Sequence, residues 1–247
     1  MDGFAGKVAF ITGGASGIGF ALARRAARDS MKIVLAEIEA PTLSTAEQAI
    51  RETGAEVLAI LTDTTRPASV EALARSTFDR FGAVHLLFNN AGVGGVRTKA
   101  WEATANEWAW VLGVNVFGVI NGVRAFTPSM LKQGEPAHIV NTASVAGFVA
   151  MANTAPYAVS KHAVVAFSEV LYHDLRADDA PIDVSVLCPA FVPTNIWNSP
   201  RNRPDELIDH PETQEERIRR LEVKKILRDV RTRMDDVSAL RNPTRTA

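Results

Sequence analysis

A chain of 247 residues with 27 basic and 28 acidic side chains carries a formal net charge of -1, so no overall field draws it to nucleic acid or to an anionic membrane. Its length suits one large domain, and its partners are expected to be small molecules. The single cysteine, Cys188, cannot close an internal disulfide and sits in the apolar run VSVLCPAF, as a small core side chain does in a reducing cytoplasm.

Residues 1–7 show neither the basic start nor the apolar core of a signal peptide, and no apolar run approaches the ~18 residues of a membrane span. A soluble, untargeted, cytoplasmic protein is therefore expected. KVAFIT, residues 7–12, is an apolar β-branched run that breaks into GGASGIG and then into the alanine-rich FALARRAARD, which reads as strand, turn and helix. Gly13, Gly17 and Gly19, in the spacing TGxxxGxG, gather bare N–H groups and a helix N-terminus at one point, where phosphate binds. An ordinary glycine turn has the same composition; its place between the first strand and a helix favours a dinucleotide site. KIVLAE, residues 32–37, is the second strand. It ends on Glu37, roughly 20 residues past the glycines, where a carboxylate accepts hydrogen bonds from an adenosine ribose and repels a 2′-phosphate. With no Lys or Arg at Ser16, Ala36 or Ile38, NAD is expected over NADP.

PTLSTAEQAIRET is a helix with Pro41 near its first turn, and EVLAILTD is a third strand ending at Asp63, a candidate contact for the adenine edge. RPASVEALARSTFDRFG is amphipathic. VHLLFNN then runs into Asn89-Asn90-Ala91-Gly92, which fits either a plain turn or backbone lying close to a cofactor. Residues 104–132 read as a long helix with Asn115 in the apolar WVLGVNVFGVI, where a buried amide is either satisfied by the core or holds a water. HIVNTAS is the fifth strand and carries Ser144 to its carboxyl end. TAPYAVSKHAVVAFSEVLYHDL is helical and puts Tyr157 and Lys161 one turn apart on one face. A phenol titrates near ~10 and a fixed ammonium favours its phenolate, so Tyr157 is a candidate acid/base. IDVSVLC is the sixth strand, ending in PAFVPTN. The five histidines, His85, His138, His162, His173 and His210, lack metal-ligand spacing, so no metal is expected. After Trp197 the chain turns polar, which divides it into residues 1–198 and a polar helical segment, 199–247.

Taken in order, TGGASGIG, NNAG, Asn115 in the long helix, Ser144 at a strand end and Tyr157-Ala-Val-Ser-Lys161 resemble the short-chain dehydrogenase/reductase family over residues 7–195. No motif is specific alone; the ordered set is. The resemblance implies a Rossmann fold, an α/β doubly wound parallel sheet in the order 3-2-1-4-5-6, with NAD across the carboxyl ends of the strands. Carried over by position, it makes Tyr157 the general acid/base and Lys161 the group that lowers its pKa and holds the nicotinamide ribose. Ser144 would hydrogen-bond the reacting oxygen, and Asn115 would support a water leading from Lys161 to solvent. It also implies Gly13, Ser16, Gly17 and Ile18, with Gly19, at the pyrophosphate turn, Glu37 at the ribose and Asp63 at the adenine. Asn90 and Gly92 would lie along the middle of the cofactor, and Val192 and Thr194 at its carboxamide end.

The implied reaction interconverts a secondary alcohol and a ketone. A non-catalytic dinucleotide-binding regulator or scaffold is the other reading, because fold alone does not imply turnover. Val145, Ala146, Met151, Phe191 and Trp197 flank the catalytic positions and are apolar, with no Lys or Arg poised for an anion, so a bulky apolar, cyclic or aromatic substrate is expected. Two departures from the family pattern stand out: Pro189-Ala190 replaces Pro-Gly, and nothing after Asn198 reads as a seventh strand. Helices 104–132 and 154–176 are apolar on nearly every face, which predicts a homodimer built on them; the family's four-helix interface agrees. Within 212–237, Val223, Ile226, Leu227, Val230, Met234 and Val237 form an apolar stripe expected to cover the cleft or lie along a neighbouring subunit.

Overall fold

β-branched, apolar Val8–Thr12 forms β1 and is buried at all five positions. Strand and amphipathic helix alternate from there: α1 Gly17–Arg28, β2 Lys32–Glu37, α2 Ala40–Arg51, β3 Val57–Leu61, α3 Pro67–Phe81 and β4 Leu86–Asn89. The second half runs α4 Ala105–Leu112, α5 Gly118–Gln133, β5 Ala137–Thr142, α6 Ala155–Ala177 and β6 Ile182–Leu187. This computed structural model describes residues 3–209 and, beyond them, 213–216, 218, 219, 221, 222, 225 and 226. Punctuation follows the sequence: Pro67 opens α3, and Gly82, at φ +76°, closes it in the left-handed conformation.

All pairings are parallel and the strand order is β3-β2-β1-β4-β5-β6, as the resemblance implies. The chain reverses direction across the sheet between β1 and β4, which opens a crevice at the carboxyl ends of those strands. Two cores hold the layers. On one face Phe10, Val34, Leu87 and Ile139 pack against Leu73 of α3, Phe126 and Met130 of α5 and Leu175 of α6. On the other, Ile11, Ile33 and Leu35 pack against Ala23 and Ala27 of α1 and Ile50 of α2. On this second face the cover thins beyond β1: Phe88, Val140 and Leu187 are half-buried, and Asp183 and Ser185 are exposed.

Several expectations change in detail. β3 stops at Leu61, so Asp63 lies in the loop beyond it. The long helix is continuous but its middle, Gly113–Phe117, widens into a π turn around Asn115. As a helix, Ala105–Gln133 has 29 residues and a mean hydropathy of 1.4 over its most apolar window, long and apolar enough to cross a membrane. This corrects the sequence reading on that point. Half of that window is buried inside the fold, where Val123, Phe126 and Met130 meet the sheet. Among the described residues the sheet has six strands and no seventh. The expected division at 198 falls inside a 3-10 helix, Asn195–Asn202. Of the apolar stripe, Ile226 is helical and exposed; Val223, Leu227, Val230, Met234 and Val237 lie outside the described residues.

Candidate active site

Parallel strands deliver their last residues to one edge of the sheet, and a cavity of about 330 Å³ runs along it. The glycine turn lines one part and Ser144, Tyr157 and Lys161 line another. Gly13 and Gly17 have φ +59° and +52°, a region that side chains disfavour. A Cβ on Gly13 would stand 3.0 Å from the Cα of Ala91, so only bare backbone fits. α1 starts at Gly17 with no capping side chain and no carboxylate in its first turn, leaving N–H groups and the positive helix end beside the cavity wall formed by Ser16, Gly17 and Ile18. Gly19 is not on that wall. Its Cβ would fall 2.1 Å from the carbonyl of Gly13, so its part is to let α1 pack onto the turn.

Glu37 reaches the cavity at the end of β2. Burial lifts its carboxyl above the ordinary carboxylate value, opposed by backbone N–H donors of Ile38, Glu39 and Ala15. Asp63 also lines the cavity, but its carboxylate serves its own loop: Oδ1 accepts from Thr65 N at 2.9 Å and Thr65 Oγ1 at 2.7 Å, and Oδ2 lies 3.3 Å from Arg66. Asn90 braces the floor, its amide donating to Thr12 O at 3.1 Å. Gly92 stands closest to the chemistry: a Cβ there would be 3.4 Å from Asn115 Oδ1 and 3.5 Å from Lys161 Nζ.

The four residues read as a tetrad do converge. Lys161, 3% exposed, donates to Thr142 O at 3.0 Å, and burial lowers its ammonium from 10.5 to about 8. An ammonium has three donors, and here the protein supplies Nζ with that acceptor. Nζ is 5.6 Å from the centre of the Tyr157 ring. Where spacing alone predicts a phenol lowered by the ammonium, burial is the larger effect and raises Tyr157, with Ser144 pulling the other way through a hydrogen bond. Ser144 caps the 3-10 turn Val145–Gly147 by accepting from Ala146 N at 3.2 Å. Asn115 is fully buried. Its amide donates to Val93 O and Ser160 Oγ, both at 3.0 Å, and its oxygen accepts from Val93 N at 2.8 Å. The core therefore holds this amide through three bonds, and one lone pair of Oδ1 is left over.

Val145, Ala146, Met151, Phe191, Val192 and Trp197 all line the cavity. Thr194 reaches the glycine turn, since a Cβ on Gly17 would touch its Cγ2 at 3.0 Å. From there residues 195–209 form a strap. Ser199 Oγ accepts from Gly94 N at 3.1 Å, Arg201 pairs with Glu39 at 2.6 Å, and Arg203 pairs with the buried Glu107 at 2.7 Å. Asp209 then bonds Asn106 at 2.7 Å and Thr104. Sequence reasoning missed the wall residues Trp110, Val96, Ile196, Arg97 and Arg201. Trp110 carried a signal, an aromatic on an apolar helix face, but the two arginines arrive on irregular loops with no period to announce them. They also correct the expectation that no Arg stands near the site.

The bare glycine turn, an uncapped helix start, a strand-end carboxylate and an ammonium with unspent donors are a chemically fitting set for a dinucleotide: phosphate at the turn, hydroxyls at the carboxylate and the ammonium. Residues 7–205 match the family described as short chain dehydrogenase. The chain belongs to this short-chain dehydrogenase family. It is 42% identical over 200 residues to 1-deoxy-11-beta-hydroxypentalenate dehydrogenase of Streptomyces avermitilis, covering 79% of this chain and 73% of that one. A dehydrogenase/reductase of CLA biosynthesis from Lactiplantibacillus plantarum is 35% identical, over 85% of this chain and 73% of its own length. A short chain dehydrogenase/reductase from Burkholderia phymatum, solved in complex with NAD, superposes with a TM-score of 0.87 at 48% identity, over 92% of this chain and 81% of the other.

Proposed function

We propose that the protein is an NAD-dependent oxidoreductase interconverting a bulky, largely apolar secondary alcohol and its ketone. The observation that carries this reading is the convergence of Ser144, Tyr157 and buried Lys161 on one cavity with a phosphate-ready glycine turn. Tyr157 gives a proton to the ketone oxygen or takes one from the alcohol. Ser144 hydrogen-bonds that oxygen, and Lys161 holds the nicotinamide ribose while keeping a positive charge beside the phenol. Asn115 ties the loop after β4 to α6, and the widened turn around it supports a water leading from Lys161 outward. NAD, when bound, accepts or donates the hydride; Gly13, Ser16, Gly17 and Ile18 hold its pyrophosphate, Glu37 its adenosine ribose, Asn90 and Gly92 its middle, and Val192 and Thr194 its carboxamide end. Asp63 meets the adenine through its loop. Following nicotinamide absorbance against a panel of cyclic and aromatic alcohols and ketones tests this directly. Binding of NADH without turnover of any of them would favour a regulatory protein instead.

The NAD relative solved at 48% identity supports NAD as cofactor, and Glu37 supports a preference for it. Replacing Glu37 with Ser is expected to lower the ratio of kcat/KM with NAD to that with NADP by roughly tenfold or more, because repulsion of a 2′-phosphate and the ribose hydrogen bonds are both lost. Steady-state kinetics with both cofactors reads this out. A wild-type protein that already prefers NADPH would overturn the role of Glu37.

A homodimer on the long helix 105–133 and α6 is part of this reading. Phe117 is 55% exposed, Val170 58% and Val159 48%, an apolar surface on helices whose opposite sides already meet the sheet. Sedimentation velocity at micromolar concentration is expected to give a dimer; a monomer would contradict it. The free thiol of Cys188 supports a cytoplasmic setting.

A further inference from the structure

Resting on the alcohol–ketone reading above, we infer that the substrate is an amphipathic acid: its carboxylate is met by Arg97 at the rim of the cavity while its apolar body places a distant carbinol at Tyr157. Arg97 lines the cavity and faces solvent, and its side chain has no hydrogen-bond or ionic partner among the described residues. The other cations on the wall are engaged: Arg201 is bound to Glu39 at 2.6 Å and to Asn198 O at 2.8 Å, and Lys161 is buried beside Tyr157. The carboxylates on the wall are Glu37 at the end of β2 and Asp63 in the loop after β3, in the part of the cavity that suits the adenosine. Glu107, the carboxylate that holds Val96 N, is paired with Arg203 and not with Arg97.

Its placement is fixed on three sides. Val96 N donates to Glu107 Oε1 at 2.5 Å and Gly94 N donates to Ser199 Oγ at 3.1 Å, which hold the loop before Arg97. Immediately after it, Thr98 makes a parallel bridge with Thr154, the residue that precedes α6. This register sets Arg97 beside Asn153, in the turn that leads into α6 four residues before Tyr157. Asn153 lines the cavity too, has no side-chain partner among the described residues and is held at φ +63°, a conformation that collects at ligand clamps. A guanidinium and an amide side by side offer a carboxylate parallel N–H donors. Met151, Val145 and Phe191 line the same cavity as Arg97 and Tyr157, which suits a hydrocarbon body carrying both the anion and the reacting carbon.

The test compares 4-oxocyclohexanecarboxylate with its methyl ester, as ketones reduced with NADH and as ligands followed by the fluorescence of Trp110 and Trp197. The acid is expected to exceed the ester in kcat/KM and in affinity by roughly tenfold, the yield of a charge-assisted hydrogen bond at a half-open site, and the ratio is expected to fall as salt is raised. Arg97→Gln brings the ratio toward one through KM, Arg97→Lys keeps part of it, and Arg97→Glu turns the preference to the ester. Equal treatment of acid and ester by the wild type, or an equal loss of both in Arg97→Gln, overturns the anion site while leaving the oxidoreductase reading intact. Arg97-dependent binding of the acid without reduction of either ketone does the reverse: the anion site stands, and the oxidoreduction of this substrate class is rejected.

Discussion

Tyr157→Phe is expected to lose roughly a thousandfold or more in kcat in both directions, because the group that moves the proton is gone and the neighbouring hydroxyl of Ser144 has no cation beside it to make it an acid or base. The ring itself packs as before, so NADH affinity, read by fluorescence titration, is expected to stay within about threefold, less than the loss of one neutral hydrogen bond. The pH dependence gives a second readout. Burial raises the phenol above its ordinary 10.0, so at neutral pH Tyr157 holds its proton and is ready to give it to a ketone. Ketone reduction is therefore expected to be flat through neutral pH, while alcohol oxidation, which needs the phenolate, climbs as pH rises. In the Phe variant that slope disappears. A variant with ordinary activity and an ordinary slope would place the acid/base elsewhere.

Lys161→Met carries the other large effect, and on stability it runs opposite to activity. A buried ammonium lowered from 10.5 to about 8 means that the folded state binds its proton more weakly than the unfolded chain does. The resulting penalty is complete below pH 8, shrinks as the lysine of the folded state stays neutral between pH 8 and 10.5, and is absent above 10.5. The cost is roughly 3 kcal/mol at neutral pH, against about 1 kcal/mol for the hydrogen bond to Thr142 O that the methionine cannot make. Lys161→Met is thus expected to be about 2 kcal/mol more stable than the wild type at pH 7 in urea unfolding, and the difference is expected to narrow as pH rises past 8. Turnover and NADH binding are both lost. A less stable variant at pH 7 would mean that the ammonium is better solvated in the cleft than its burial implies.

The strain of keeping that charge buried is a mark of function, and it was partly legible in the sequence. The period of Tyr157 and Lys161 on a helix, the glycine turn after β1 and Ser144 just past the end of β5 each follow from local spacing, and the parallel sheet follows from the alternation of strand and helix. What spacing cannot carry is burial. It set the ammonium effect on Tyr157 ahead of desolvation, and it does not reveal that Val93 and Ser160 hold the amide of Asn115. Nor does spacing report contacts between residues far apart in the chain. Arg201 meets Glu39, and Arg203 meets Glu107, through a strap whose sequence reads only as polar chain after Trp197. Arg97 was hidden for the same reason: its importance comes from a loop registered against Thr154, not from its neighbours in sequence. Gly19 shows the converse, a motif glycine that serves helix packing and stays off the cavity wall.

Hydride transfer between a carbinol carbon and the nicotinamide is the claim on which the rest depends, and isotope transfer tests it most directly. The protein is incubated with NAD and 4-hydroxycyclohexanecarboxylate deuterated at the carbinol carbon, and the reduced cofactor is isolated for mass spectrometry. Reduced cofactor carrying the deuterium, with the ketone as co-product and none formed by Tyr157→Phe, is the predicted result. Cofactor that binds at the glycine turn yet acquires no deuterium from this or any other secondary alcohol in the panel would contradict it.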